Sequence, residues 1–310
     1  MFDSGSFLSK KYFMRRRNAG ILYAAFAASS YGTNPLFALP LFANGIGVNS
    51  VLFYRYAIAV ILYSLWLKFV KKISLKISMN QIFPLIILGV LFSLSSLLLF
   101  DAFNYIDAGI ACTILFVYPV LVALIMAIFF KEKTNATIIM SLILTTIGII
   151  FLYKGDSAAD LDIKGFLLVI ISSLAYAIYI VGVQKIKVIK HIKSNVLSFY
   201  VMLFGLSVYV VNLNFCTQLQ MISQPKLWLC TFGIALLPTV ISLETITYAI
   251  KLVGPTKTAL LGALEPVTAL LIGVFVFNET ITSRIWLGIL LIIFGVTLIV
   301  LNNNKSALKH

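Results

Sequence analysis

Residues 262–282 read GALEPVTALLIGVFVFNETIT, and residues 118–134 read YPVLVALIMAIFFKEKT. Laid over one another at a shift of 147, Pro119 falls on Pro266, Glu132 on Glu279 and Gly148 on Gly295. A shift of 145–146 pairs Gly20 with Gly165, Tyr31 with Tyr176 and Tyr54 with Tyr200. A few identities between apolar stretches arise by chance. A proline, a glutamate and a glycine at equal spacing in both halves are much harder to obtain that way. The chain reads as a duplication.

Each half is built for lipid. Of 310 residues, 61% are hydrophobic and 11% charged, with a mean hydropathy of +1.05. A soluble chain is roughly 45–50% apolar and about 25% charged, so a soluble enzyme, a secreted disulfide scaffold and a disordered chain are all excluded. A spanning helix takes ~20 apolar residues. Ten such segments lie near 19–40, 50–70, 81–101, 107–128, 135–153, 165–183, 194–213, 227–249, 255–276 and 284–301. The expected organisation is a basic tail over 1–18, a first five-helix repeat over 19–153, a second over 165–301 and a tail over 302–310. The first segment is too long for a cleaved signal peptide, carries Pro35 and Pro40 late and lacks a cleavage site.

Charge placement sets the orientation. With the N-terminus in the cytoplasm, 19 Lys and Arg residues fall on the inner side, among them Arg15–Arg17, Lys71, Lys185, Lys251 and Lys257. Four fall outside: Lys154, Lys164, Lys226 and Arg284. That bias predicts both termini inside. Trp66, Trp228 and Trp286 sit near segment ends, where an indole prefers the interface. The net charge of +14 follows this topological pattern instead of forming a nucleic-acid-binding face. Five helices per repeat force the second half to run upside down, and inverted repeats are a device of secondary transporters.

Ten helices in two inverted halves, with Pro-x12-Glu-x15-Gly closing each half, resemble the EamA family of the drug/metabolite transporter superfamily. The 262–282 stretch is especially similar to that family's ninth helix. The resemblance covers essentially the whole chain and is not specific for substrate. It implies a multi-pass protein of the plasma membrane (the bacterial inner membrane) that exports amino acids or drugs, or exchanges metabolites such as S-adenosylmethionine. More distant relatives carry nucleotide sugars and triose phosphates. It also implies a central cavity lined by helices one, three, four, six, eight and nine, with helices five and ten at the periphery.

Four ionisable residues lie inside apolar segments: Arg55, Asp101, Glu244 and Glu265. Each costs ~2.5–3.5 kcal/mol at the bilayer centre unless it has a partner, water or a proton. Glu265 is ten residues into helix nine, ~15 Å along its axis and close to the midplane. Pro266 removes an N–H and crowds the Gly262 carbonyl, so a kink and a free carbonyl are expected beside the carboxylate. That suits a proton, a cation or a substrate amine; a clamp between helices is the competing reading. Glu244 faces either the cavity or a helix partner, with Lys251 and Lys257 a short distance away. Arg55 and Asp101, on consecutive antiparallel helices, are expected to form a structural salt bridge or an outer gate. Tyr31, Tyr118, Tyr176 and Tyr248 are candidates for the cavity wall, able to stack and to donate. Asn34 with Pro35 marks a further break, as do Pro119 and Pro266.

Gly20, Ala24 and Ala28 form a ridge of small residues, and Gly148 and Gly295 are expected to let helices five and ten approach. Glu132 and Glu279 sit at membrane ends as cap candidates, and Asp156, Asp160 and Asp162 form an outer loop. Cys112, Cys216 and Cys230 have no metal or redox spacing, and His191 and His310 lie in polar stretches. No catalytic group, metal or cofactor is expected. No GxxxxGKS/T, HExxH or GxSxG occurs, which disfavours an ATP-driven pump and an intramembrane enzyme. The expected partners are a small-molecule substrate and membrane lipid, with the chain a monomer or weak homodimer. The reading is a secondary transporter working by alternating access, coupled to protons or to exchange.

Overall fold

In hydrocarbon every backbone N–H and C=O must be satisfied internally, so an apolar chain of this kind has to be helical. The computed structural model describes residues 4–102, 104–106, 111, 114–132, 135–152, 162–277 and 283–308, and no strand occurs among them. Cys112, Asp156, Asp160, Glu279 and His310 lie outside the described residues.

Helix α1 (Ser4–Tyr31) is followed by α2 (Asn34–Ala43), and α3 (Val48–Leu65) ends in a π-helical turn (Trp66–Val70). Next come α4 (Met79–Ala102), α5 (Tyr118–Phe130), α6 (Ala136–Leu152) and α7 (Ile163–Lys185). A short α8 (Lys187–Lys190) leads into α9 (Ser194–Asn212). Helix α10 (Pro225–Ala235) runs through a π-helical turn (Leu236–Ile241) into α11 (Ser242–Val253). Helices α12 (Pro255–Leu261), α13 (Leu264–Phe277) and α14 (Ser283–Leu308) complete the chain.

Among the described residues, six stretches are long and apolar enough to cross a membrane: Val48–Val70, Met79–Ala102, Ile163–Lys185, Ser194–Asn212, Pro225–Val253 and Pro255–Val276. Shorter apolar helices cover Tyr118–Phe130, Ala136–Phe151 and Ser283–Leu298. Their outward faces are apolar too. Leu22, Phe26, Ile61, Ile128, Phe129, Leu290 and Phe294 are all exposed, a surface that water does not tolerate at this extent.

Helix α4 packs against α7 and α9, α1 lies along α11, and α6 and α14 pack mainly on each other. Small residues set the closest approaches. A Cβ on Gly148 would stand 2.8 Å from the Gly288 carbonyl, and one on Gly295 would stand 2.9 Å from Thr145 Cγ2. These two glycines do form the α6–α14 seam. Gly20, where a Cβ would meet Val253 at 2.6 Å, lets α1 close on α11, with Ala24 and Ala28 buried along the same helix. Glu132 does not cap α6: Asn135 Oδ1 accepts the Ile138 N–H at 3.2 Å. Asp162 caps α7 by accepting the Lys164 N–H at 2.7 Å.

Helix α9 lies beside both α3 and α4, which touch each other only slightly. Consecutive segments two and three are therefore not packed partners, and this matters for Arg55.

Candidate functional site

Three helix breaks meet in the middle of the bundle. The backbone turns at 32–33, 116–117 and 262–263, in each case just before a proline. Pro35, Pro119 and Pro266 each occupy the first turn of the helix that restarts: α2, α5 and α13. Proline has no N–H to offer there and its fixed φ suits a first turn, so each marks where a helix can begin again. The breaks press on one another. A Cβ on Gly32 would lie 2.5 Å from the Glu265 carbonyl oxygen, so the turn of helix one rests directly on that of helix nine. The Tyr118 hydroxyl reaches over Gly262 and donates to the Ala259 carbonyl at 3.2 Å. The Gly262 carbonyl, expected to be idle beside the carboxylate, accepts the Glu265 N–H at 2.9 Å instead. The helix closes tightly before it restarts, and that closure uses the group Pro266 would have left free.

A cavity opens where these turns meet. Tyr31, Tyr118, Tyr176 and Glu265, all expected there from sequence, line it together. Ser95, Ser96, Phe92 and Leu99 of α4, with Leu115, complete the wall. Its free space is about 20 Å³, room for about one water molecule. Among the described residues, α10 and α11, the expected eighth span, contribute nothing to the wall, contrary to expectation.

Glu265 keeps some exposed surface, and that surface faces the cavity. Among the described residues its carboxylate makes no ion pair; Arg55 acts on it electrostatically without touching it. The rings around it interlock. Tyr118 meets Tyr176 edge-on at 4.8 Å, and Tyr176 stacks over Tyr179 at 6.1 Å. A carboxylate ringed by phenols and serines can hold a proton or an amine and can lie against an aromatic ring. It is a poor metal site: the described residues contain no group of three His, Cys, Asp or Glu.

Arg55 is fully buried and is not paired with Asp101. Its Nε donates to Thr239 Oγ1 at 2.5 Å and its Nη2 to the Pro238 carbonyl at 3.0 Å. Its guanidinium lies 5.3 Å from the Tyr31 ring and 6.0 Å from that of Tyr56. The cause is the π turn of helix eight. Pro238 cannot donate to Ile234, so Thr239 Oγ1 takes that carbonyl at 2.7 Å. Within this π turn the Leu237 carbonyl, which also accepts the Ser242 N–H, and the Pro238 carbonyl each take a side-chain donor. Ser30 supplies one at 2.5 Å, and Arg55 the other. Asp101 stays at the far end of α4, half-buried, its carbonyl accepting from Asn104. No gate or salt bridge between the two exists in this structure.

Glu244 and Tyr248 form a separate cluster. Asn195 Nδ2 donates to Glu244 Oε1 at 2.5 Å, and the Tyr248 hydroxyl donates to Asn195 Oδ1 at 2.6 Å. Tyr63 lies against Glu244 with its hydroxyl outside normal hydrogen-bond geometry. Tyr23 stacks on Tyr248 at 5.5 Å, and Lys71 acts on Glu244 from the loop after α3. Lys251, expected to bear on Glu244, donates instead to the Ile192 carbonyl. Asn34 joins neither cluster: it opens α2 with its side-chain oxygen buried and unbonded.

Residue-type reasoning missed Ser95, Ser96, Asn195, Tyr63 and Thr239. The signal for the serines was present: SLSS at 93–96 is the one hydroxyl-rich run in an otherwise apolar third segment.

The EamA-like transporter family model matches twice, over residues 18–154 and 163–301. Two Archaeoglobus fulgidus proteins, each described as an uncharacterized transporter, are similar. One is 26% identical over 190 residues, covering 61% of this chain and 66% of its own length. The other is 29% identical over 138 residues, covering 44% of this chain and 47% of its own length. A protein crystal structure superposes with a TM-score of 0.76 at 16% identity, over 94% of this chain and 99% of its own, which shows a shared fold.

Proposed function

We propose that this chain, which belongs to the EamA-like transporter family, is a secondary transporter that exports or exchanges a small metabolite such as an amino acid or a related amphiphile. The chain is a multi-pass membrane protein. In the arrangement proposed, ten helices span the plasma membrane (a bacterial inner membrane) as two inverted sets of five, with both termini cytoplasmic. The excess of Lys and Arg on one side supports that orientation.

The observation that carries the reading is the position of Glu265. A carboxylate faces a narrow cavity where helices one, four and nine all break, and among the described residues no cation touches it. Broken helices at depth line sites where substrate and coupling ions bind. Glu265 then holds a proton in one access state and releases it in the other, or holds the substrate's amine. The contracted cavity fits an occluded state between the two. Alternating access parts the breaks on one side while they close on the other.

A second reading draws on the wall itself. Phe92, Tyr118 and Tyr176 offer ring faces, which suits a nucleotide-like metabolite such as S-adenosylmethionine, with its base stacked and its cationic centre at Glu265. An intramembrane enzyme is disfavoured, because among the described residues the cavity wall offers Glu265 but no histidine, cysteine or lysine to act with it.

The deciding experiment is uptake into proteoliposomes with and without an imposed pH gradient. The substrates to try come from a metabolite comparison of cells with and without the protein. Uptake of none of the metabolites that differ would overturn the reading.

A further inference from the structure

Two opposite charges stand deep in the bundle without meeting. Glu265 faces the cavity and, among the described residues, makes no ion pair. Arg55, fully buried on α3, makes none either among those residues. Two of its guanidinium nitrogens are committed, Nε to Thr239 Oγ1 and Nη2 to the Pro238 carbonyl. The third, Nη1, is buried with no hydrogen-bond partner. Both acceptors are neutral, and an amide N–H would serve them. Bracing the π turn therefore accounts for neither the positive charge nor the idle Nη1. Buried charges held apart from each other are costly, and those inside membrane proteins mark substrate and ion paths.

One side chain links the two places. Tyr31 lines the cavity together with Glu265, and its ring centre lies 5.3 Å from the Arg55 guanidinium. Tyr31 is also the last residue of α1, and the helix breaks directly after it, at 32–33. The bare backbone of Gly32 in that break abuts the backbone of Glu265. Residues at the ends of elements are where a helix can swing. Arg55, by contrast, sits within α3 and is tied at two points to the turn of helix eight. The ring can move while the cation stays.

We propose that Arg55 is the anion anchor of the substrate site: its free Nη1 takes the substrate's carboxylate while Glu265 takes the amine, so that the site selects a zwitterion. The proposal rests on the reading that Glu265 binds a substrate amine. The cavity has room for about one water molecule, so a larger solute fits only as part of the wall moves. Tyr31 is the part of the wall next to Arg55, and its displacement at the break brings the guanidinium into the widened site. A zwitterion laid between Arg55 and Glu265 pairs both buried charges at once and adds no net charge to the interior. An amine without a carboxylate leaves Arg55 uncompensated, and a carboxylate without an amine leaves Glu265 so. Arginine suits the task because it stays protonated and holds a carboxylate by directed, charge-assisted hydrogen bonds.

The test is binding of radiolabelled common L-amino acids to the purified full-length protein. Each one that binds is compared with its amide, which lacks the carboxylate, and with its deaminated acid, which lacks the amine. Both analogues are expected to bind about tenfold more weakly than the parent, equivalent to about 1.4 kcal/mol. In Arg55→Gln the amino acid is expected to fall to the level of its amide, with the amide unchanged. In Glu265→Gln it is expected to fall to the level of the deaminated acid. If Arg55→Gln does not fold, phenylglyoxal labelling of the unaltered protein, read by mass spectrometry, gives a second measurement. The exposed Arg284 is the control. Arg55 is expected to be labelled, and to be protected by the amino acid but not by its amide. An amide that binds as tightly as its parent, or an Arg55 that is never labelled or never protected, overturns the anchor and leaves Glu265 as the amine site. Dependence on Arg55 with no change in Glu265→Gln keeps the anchor and overturns the amine reading of Glu265. Binding of no amino acid overturns the zwitterion site, and proteoliposome uptake of another metabolite would still support a transporter.

Discussion

The hydroxyl of Tyr118 sits so closely over Gly262 that a Cβ at position 262 would lie 1.8 Å from it, while the ring carbon Cζ would be 3.1 Å away. Two helix breaks, one from each half of the chain, are therefore held together by a phenol on a bare backbone. Gly262→Ala is expected to push Tyr118 off the Ala259 carbonyl and to destabilise the protein by about 1–3 kcal/mol, the usual range for overpacking. Tyr118→Phe removes the nearest clashing atom, while the Ala259 carbonyl oxygen still lies 2.8 Å from the added Cβ, so the double variant is expected to recover part of the loss. Thermal unfolding in detergent of both single variants and the double reads this coupling directly. Additive losses would place the strain elsewhere.

Glu265→Gln is expected to fold and insert normally, because the amide keeps the shape and hydrogen-bonding reach of the acid. Transport is expected to fall sharply and to lose most of its dependence on pH. Exchange of substrate without a gradient separates two roles. It survives if Glu265 only couples protons and fails if Glu265 binds the substrate. Transport that stays normal and pH-dependent would return Glu265 to a structural role.

Arg55 is expected to matter for stability through helix eight and not through Asp101. Arg55→Gln should cost about 1.5–3 kcal/mol, since a charged donor leaves the Pro238 carbonyl and Thr239. Asp101→Asn should stay within about 0.5 kcal/mol. Swapping the charges at 55 and 101 should rescue nothing. Folded yield by fluorescence-detected size exclusion measures all three, and rescue by the swap would show that the two residues pair in a state other than this one.

Tags on both termini are expected to be cytoplasmic, and a reporter in the 154–164 loop external. Protease protection in vesicles of known orientation reads this. Termini on opposite sides would remove both the ten-helix arrangement and the inverted repeat.

The helices were legible because lipid leaves a chain few choices, and the breaks at Pro35, Pro119 and Pro266 because proline cannot continue the ladder. Four cavity residues were also legible. Glu265, Tyr31, Tyr118 and Tyr176 are polar groups at depth, and the internal repeat aligned them. Arg55 was not. Its pairing with Asp101 assumed that consecutive helices pack together, whereas α9 lies beside both. Its real partners are the Pro238 carbonyl and the Thr239 hydroxyl in the π-helical turn Leu236–Ile241, which spacing along the chain does not reveal. Glu244 and Tyr248 carried the same depth signal as the cavity residues but lie on another part of helix eight, and spacing along one helix does not say which neighbours it meets.

Phenols and serines stand in the interior among its leucines and isoleucines. Tyr56, Tyr63, Tyr118, Tyr176 and Tyr179 each turn an apolar ring and a polar tip toward the middle of the bundle. A transporter must dry the same surfaces in one state and wet them in the next. A wall of leucine would adhere when closed and resist water when opened, making the closed state a trap. Rings pack nearly as well when dry, and their hydroxyls take up water once the helices separate. The unsatisfied hydroxyls that weaken this closed form therefore narrow the gap to a flooded one. In the alternating-access cycle proposed above, this lets the chain pass between the two on thermal energy and a modest gradient.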